Sequence, residues 1–103
     1  MAEWTEDQLV LALEFYYSCP ENNRTDAHVT CQEIAALVGH SAAALDRTLR
    51  NIKFVDSGGT GLEHASALVY RLVDQHKSNI PSLKADAAAI RNHNGWPSLK
   101  CGA

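Results

Sequence analysis

The stretch Gln32-Glu33-Ile34-Ala35-Ala36-Leu37-Val38-Gly39-His40-Ser41-Ala42-Ala43-Ala44-Leu45 decides the architecture. Ile34, Ala35, Leu37 and Val38 give one short apolar helix, and Gly39 supplies the left-handed exit that closes it. Ser41 is placed to cap the next helix, whose inward stripe is Ala42, Leu45, Leu49 and Ile52 at spacings of three and four. A small residue, Ala35, stands where a second helix would cross closely, and a glycine follows four positions later. Leu45 and Leu49 then lock the second helix on the first. This is the pattern of a helix-turn-helix.

When such a pair binds DNA, the second helix enters the major groove with its early residues at base edges. The outward positions here are His40, Ala43, Asp46, Arg47, Arg50 and Asn51. The candidate DNA-binding set is therefore His40, Ser41, Ala43, Arg47, Arg50, Asn51 and Lys53. Arg47 and Arg50 have the chemistry for guanine edges or phosphates, and Asn51 can pair two hydrogen bonds with adenine. Ser41 stands where a phosphate meets a helix start. The alternative is a tight helical hairpin whose arginines are a solvated face. It would serve as a small adaptor or inhibitor that sets the same helices, or the acidic first helix, against a protein partner, or as a homodimer.

Upstream, Thr5 and Gln8 form a capping box before a strongly apolar helix that stops at Cys19-Pro20, and Glu21–Arg24 reads as a loop. Thr30 and Glu33 predict a second capping box, with Val29 and Ile34 as its hydrophobic staple. Downstream, Phe54-Val55 lead into Asp56-Ser57-Gly58-Gly59-Thr60-Gly61, a wing or a linker. Ser66 is expected to cap a fourth helix with Leu68, Val69, Leu72 and Val73 inward. Pro81 and Ser82 open a fifth carrying Leu83, Ala87 and Ile90. The expected fold is all-α, five helices around a helix-turn-helix core, winged if 54–62 pairs as a hairpin. The helical domain is assigned to 1–91 and an irregular tail to 92–103.

Composition agrees with one small domain. At 103 residues the chain buries roughly two-thirds of the surface its unfolded form exposes. Hydrophobic residues at 46% and charged residues at 20% exclude wholesale disorder. No apolar run is long enough for a membrane span. The opening residues lack the basic and apolar regions of a secretory signal, so a cytoplasmic location is expected. The three cysteines, Cys19, Cys31 and Cys101, are sparse and odd in number, so reduced thiols are expected.

The net charge of −3 hides an uneven distribution. Residues 1–30 carry Glu3, Glu6, Asp7, Glu14, Glu21 and Asp26 against Arg24 alone. Residues 31–55 set Arg47, Arg50 and Lys53 against Glu33 and Asp46, a mildly basic segment. Counterion release dominates nonspecific DNA affinity, so this balance predicts weak, salt-sensitive binding.

The run Trp4-Thr5-Glu6-Asp7-Gln8-Leu9-Val10-Leu11-Ala12-Leu13-Glu14-Phe15-Tyr16 resembles the opening of the N-terminal region of bacterial HNH endonucleases of the restriction type. The likeness continues through Ile34–Ser41, Leu49-Arg50-Asn51-Ile52 and Gly61–Ser66, spanning residues 3–75. That family often has Arg where His40 stands and Asn-Phe where Asn51-Ile52 stands. The resemblance implies a reader of double-stranded DNA, plain or base-modified, normally placed ahead of a nuclease domain. No nuclease domain is expected within this sequence.

Other signals carry less. Asn92-His93-Asn94 has only nine residues after it, too few for the ββα unit of an HNH nuclease. Cys19, His28, Cys31 and the remote His64 lack the tight Cys pairs of a structural zinc site, so no metal is expected. Gly58-Gly59-Thr60-Gly61 has no Lys-Ser/Thr after it and is not a phosphate loop. Tyr16, Tyr17 and Trp4 read as core and staple residues, with one of them stacking on a flipped base as the alternative. No catalytic residue and no cofactor is expected.

Overall fold

The structure is a computed structural model that describes residues 3–59 and 67–102. Its helices are α1 (Glu6–Ser18), α2 (Val29–Val38), α3 (Ala42–Asp56), α4 (Ala67–His76) and α5 (Ile80–Asn94). Among the described residues there is no strand, and the fold is all-α.

α1 is the hub. Every residue from Leu9 to Phe15 is buried, and a helix apolar on all sides must be surrounded. It packs against α3, α4 and α5, while α2 packs on α3. Its capping box forms as expected: the Thr5 hydroxyl accepts from the Gln8 amide at 3.2 Å, and Gln8 Oε1 accepts from the Thr5 amide at 2.9 Å. Gln8 does more than cap. Its Nε2 donates to the Val38 carbonyl at 2.9 Å, and its Oε1 also faces His40 Nε2 at 3.0 Å. One side chain thus closes α1 and anchors the turn between α2 and α3.

That turn follows the sequence closely. Gly39 takes φ +81°, a conformation L side chains rarely adopt, and its amide satisfies Ala35 and Ala36 carbonyls. Ser41 accepts from the Ala44 amide at 3.1 Å, and three residues separate the end of α2 from the start of α3. Leu45, Leu49 and Ile52 are buried and Ala42 packs against them.

Several local expectations are corrected. Glu21–Arg24 forms a 3₁₀ turn rather than an irregular loop. The second capping box is absent. His28 Nδ1 accepts from the Thr30 amide at 3.1 Å and becomes the cap, drawing Thr30 inside the helix. Val29 is then on the outer surface, 56% exposed, and staples nothing. α3 continues to Asp56, so Phe54 and Val55 are helical and cannot form the first arm of a wing. Ser57 and Gly58 follow as a turn, while residues 60–62 and the Ser66 cap lie outside the described residues.

The C-terminal end departs further from the sequence reading. α5 is capped by Asn79, whose Oδ1 accepts from the Ser82 amide at 3.2 Å, with Pro81 in its first turn. It runs past Arg91 to Asn94 and exits through Gly95 at φ +69°. Residues 96–102 then return as a strap. Cys101 is disulfide-bonded to Cys19 at the end of α1, so two of the three thiols expected to be reduced are joined. The Gly102 amide donates to Asn23 Oδ1 at 2.7 Å, and a Cβ on Gly102 would lie 2.5 Å from the His28 ring. The third cysteine, Cys31, is buried under Ala42, and burial pushes its thiol up to about 11.

Candidate nucleic-acid interface

α3 presents three faces, and each treats its polar residues differently. Its outer stripe is Ala43, Arg47, Arg50 and Phe54, all exposed and separated by four, three and four residues. Arg47 makes no ion pair or hydrogen bond among the described residues. Arg50 is 80% exposed, but its Nε meets Asp46 Oδ1 at 2.8 Å one turn back. The ring of Phe54 lies over Gly59, where any Cβ would collide with it at 2.5 Å.

One flank is tied to the 3₁₀ turn. Asp46, read from sequence as outward, is 5% exposed, and its Oδ2 accepts from the Asp26 amide at 2.8 Å. Lys53 Nζ is 2.5 Å from Glu21 Oε1, with both groups in solvent. An exposed pair of this kind is weak and easily broken, so Lys53 remains available to a stronger anion. At the end of the helix Asp56 accepts from Tyr17 at 2.5 Å and from Tyr16 at 3.1 Å. A carboxylate at a helix C-terminus opposes the dipole, and the two hydroxyls offset that. Burial first, and then the Asp56 carboxylate, push both phenols above their ordinary value of 10.0.

The other flank, Thr48 and Asn51, borders a groove of about 350 Å³ shared with Trp4 and the start of α4. Asn51 is half-buried, and its side-chain amide has no partner among the described residues.

No family model matches this chain, and neither does any curated protein or solved structure. What α3 can bind therefore follows from its own geometry.

Of the seven residues nominated from sequence, Ala43, Arg47 and Arg50 share the exposed stripe, and Ser41 sits exposed at its N-terminal end. Lys53 and Asn51 lie on opposite flanks. His40 belongs to the scaffold. Its ring stacks on Trp4 at 3.9 Å with planes 4° apart, and its Nε2 donates to Gln8. The helical period alone could have paired Thr48 with Asn51 on one flank. Nothing in the sequence announced that Trp4 would join them from 44 positions away. His28, Cys19 and Cys31, weighed as zinc ligands, are taken up by a cap, a disulfide and the core, and the remote fourth, His64, lies outside the described residues. Asn92-His93-Asn94 forms the last turn of α5, with Asn94 Nδ2 donating to the Ile90 carbonyl.

Proposed function

We propose that this domain binds double-stranded DNA through α3, with Arg47 and Arg50 toward base edges or phosphates and Lys53 and Ser41 as backbone contacts. The observation behind the reading is that Arg47 and Arg50 project from one exposed stripe of a helix entered by a three-residue turn. A short helix so presented fits the width of a major groove, and arginine is the commonest reader of guanine there. The restriction-type resemblance extends the proposal to a reader module acting on plain or modified duplexes. Such a role places it in the cytoplasm. There, reducing conditions would hold Cys19 and Cys101 as thiols, leaving the strap to its hydrogen bonds.

The test is a mobility-shift titration at low salt with plain and base-modified duplexes. The Arg47→Ala, Arg50→Ala double variant is expected to lose the shift, and added salt to weaken it steeply. Equal behaviour of the two proteins removes α3 as the reader.

A protein-interaction module is the second reading, and one feature favours it. A groove of about 480 Å³ runs between α2 and the strap, with Ile34, Leu37, Pro97 and Leu99 on its walls. If Leu37→Lys abolished self-association seen by light scattering while the α3 double variant did not, this reading would displace the first.

A further inference from the structure

We infer that the groove on the flank of α3 is a site for an adenine base, held by Trp4 and Asn51. The groove encloses about 350 Å³, at the small end of ligand sites and suited to one flat molecule. Its walls combine an aromatic ring, Trp4, with apolar Leu9 and Leu68 and three polar groups, Glu3, Thr48 and Asn51. The indole is pre-positioned because His40 already covers one of its faces at 3.9 Å. What Trp4 offers the groove is therefore its remaining face or edge, on which any base can stack because every base has a π-face.

Asn51 gives the specificity. A carboxamide sets one donor beside one acceptor, which matches the N7 and N6 amino group of adenine. This amide has no partner among the described residues, so no internal hydrogen bond must be broken to use it. The Glu3 carboxylate can only accept, so it suits an exocyclic amine and repels a ring carbonyl edge. Arg47 stands one turn before Asn51 on the same helix, without an ion pair among the described residues, and can reach toward the attached phosphate. The shared chemistry is an adenine nucleotide, either free or unstacked from a strand. For the strand as its source, the inference rests on the DNA-binding reading above.

The experiment uses the full chain with Trp96→Phe, so that Trp4 is the sole tryptophan. Adenosine monophosphate is expected to quench its emission saturably. Inosine monophosphate, with a carbonyl in place of the amine, should bind at least about tenfold more weakly, as should adenosine monophosphate to an Asn51→Leu variant. A single-stranded oligonucleotide with one adenine, run alongside, separates the sources by whether strand or free nucleotide saturates first. Absence of quenching by either adenine ligand overturns the inference, and so does equal quenching by the adenine and inosine nucleotides. Because the two nucleotides are compared on one protein, that outcome does not depend on how the Asn51→Leu variant folds. A duplex shift that persists without quenching sinks only the base site. Quenching without a duplex shift sinks only the DNA-binding reading.

Discussion

Two of the arginines that meet a carboxylate do so in opposite surroundings. Arg91 on α5 is 4% exposed, and its Nε and Nη2 both donate to Glu14 Oε1 on α1, at 3.2 and 3.1 Å. Its Nη1 donates to the Pro97 carbonyl at 2.8 Å, so the same guanidinium holds the strap. Arg50 on α3 reaches its carboxylate through Nε alone and keeps the rest of its fork in water. A buried guanidinium must be matched at nearly every donor to offset its lost hydration, whereas an exposed one is left with donors for another molecule. The difference separates a group that holds the fold together from one that the fold displays.

Breaking the buried member should produce the largest effect. Arg91→Ala leaves Glu14 charged and unpaired inside, which is expected to cost about 3–5 kcal/mol in urea unfolding. Replacing both partners by apolar residues, Glu14→Leu with Arg91→Met, should cost far less than the two single changes together. A double loss equal to the sum of the two single losses would show that the charges contribute nothing as a pair. The disulfide tests the same corner from the other side. Its partners are 82 positions apart, so Cys101→Ser is expected to remove about 2–4 kcal/mol by freeing the unfolded chain. Unfolding of wild type with and without a thiol reductant should reproduce that loss.

The contrast between the regions also explains what could be read in advance. The turn at Gly39 and the start of α3 were legible because caps and left-handed glycines act within a few residues. The basic stripe followed from the helical period. Contacts across long separations left no such mark. Asp46 looked outward on its own helix, and only the Asp26 amide, 20 positions back, makes it an inward group. His28 displaced Thr30 as a cap because a histidine ring can accept an amide, a role the usual cap residues obscure. An odd count of cysteines carried no information on which two would meet. Nothing in the sequence around Arg91 marked it for burial, because its partner Glu14 lies 77 residues away.

Alkaline pH should sharpen the comparison by loading a third carboxylate, Asp56. Burial and the hydrogen bond to Asp56 raise the Tyr17 phenol above its ordinary 10.0. The folded state therefore holds that proton more tightly than the unfolded state does. The resulting stability is complete below pH 10.0 and is lost as pH climbs above it. Melting temperatures between pH 8 and pH 11 should fall less steeply for Tyr17→Phe than for wild type. Parallel curves would remove Tyr17 as the cause.

The smallest effect is expected from the displayed arginine itself. Arg50→Ala deletes an i, i+4 pair in which the guanidinium is 80% exposed, and such pairs contribute about 0.3–0.5 kcal/mol. Asp46 keeps the Asp26 amide at 2.8 Å, so its carboxylate is not abandoned in the core. For a domain of this size that corresponds to a drop of about 1–4 °C in melting temperature, shrinking further in high salt. A loss approaching that of Arg91→Ala would mean that Arg50 holds the contact between α3 and the residues that follow the 3₁₀ segment. A side chain so engaged is not free for a ligand, and the division between holding and displaying arginines would fail with it.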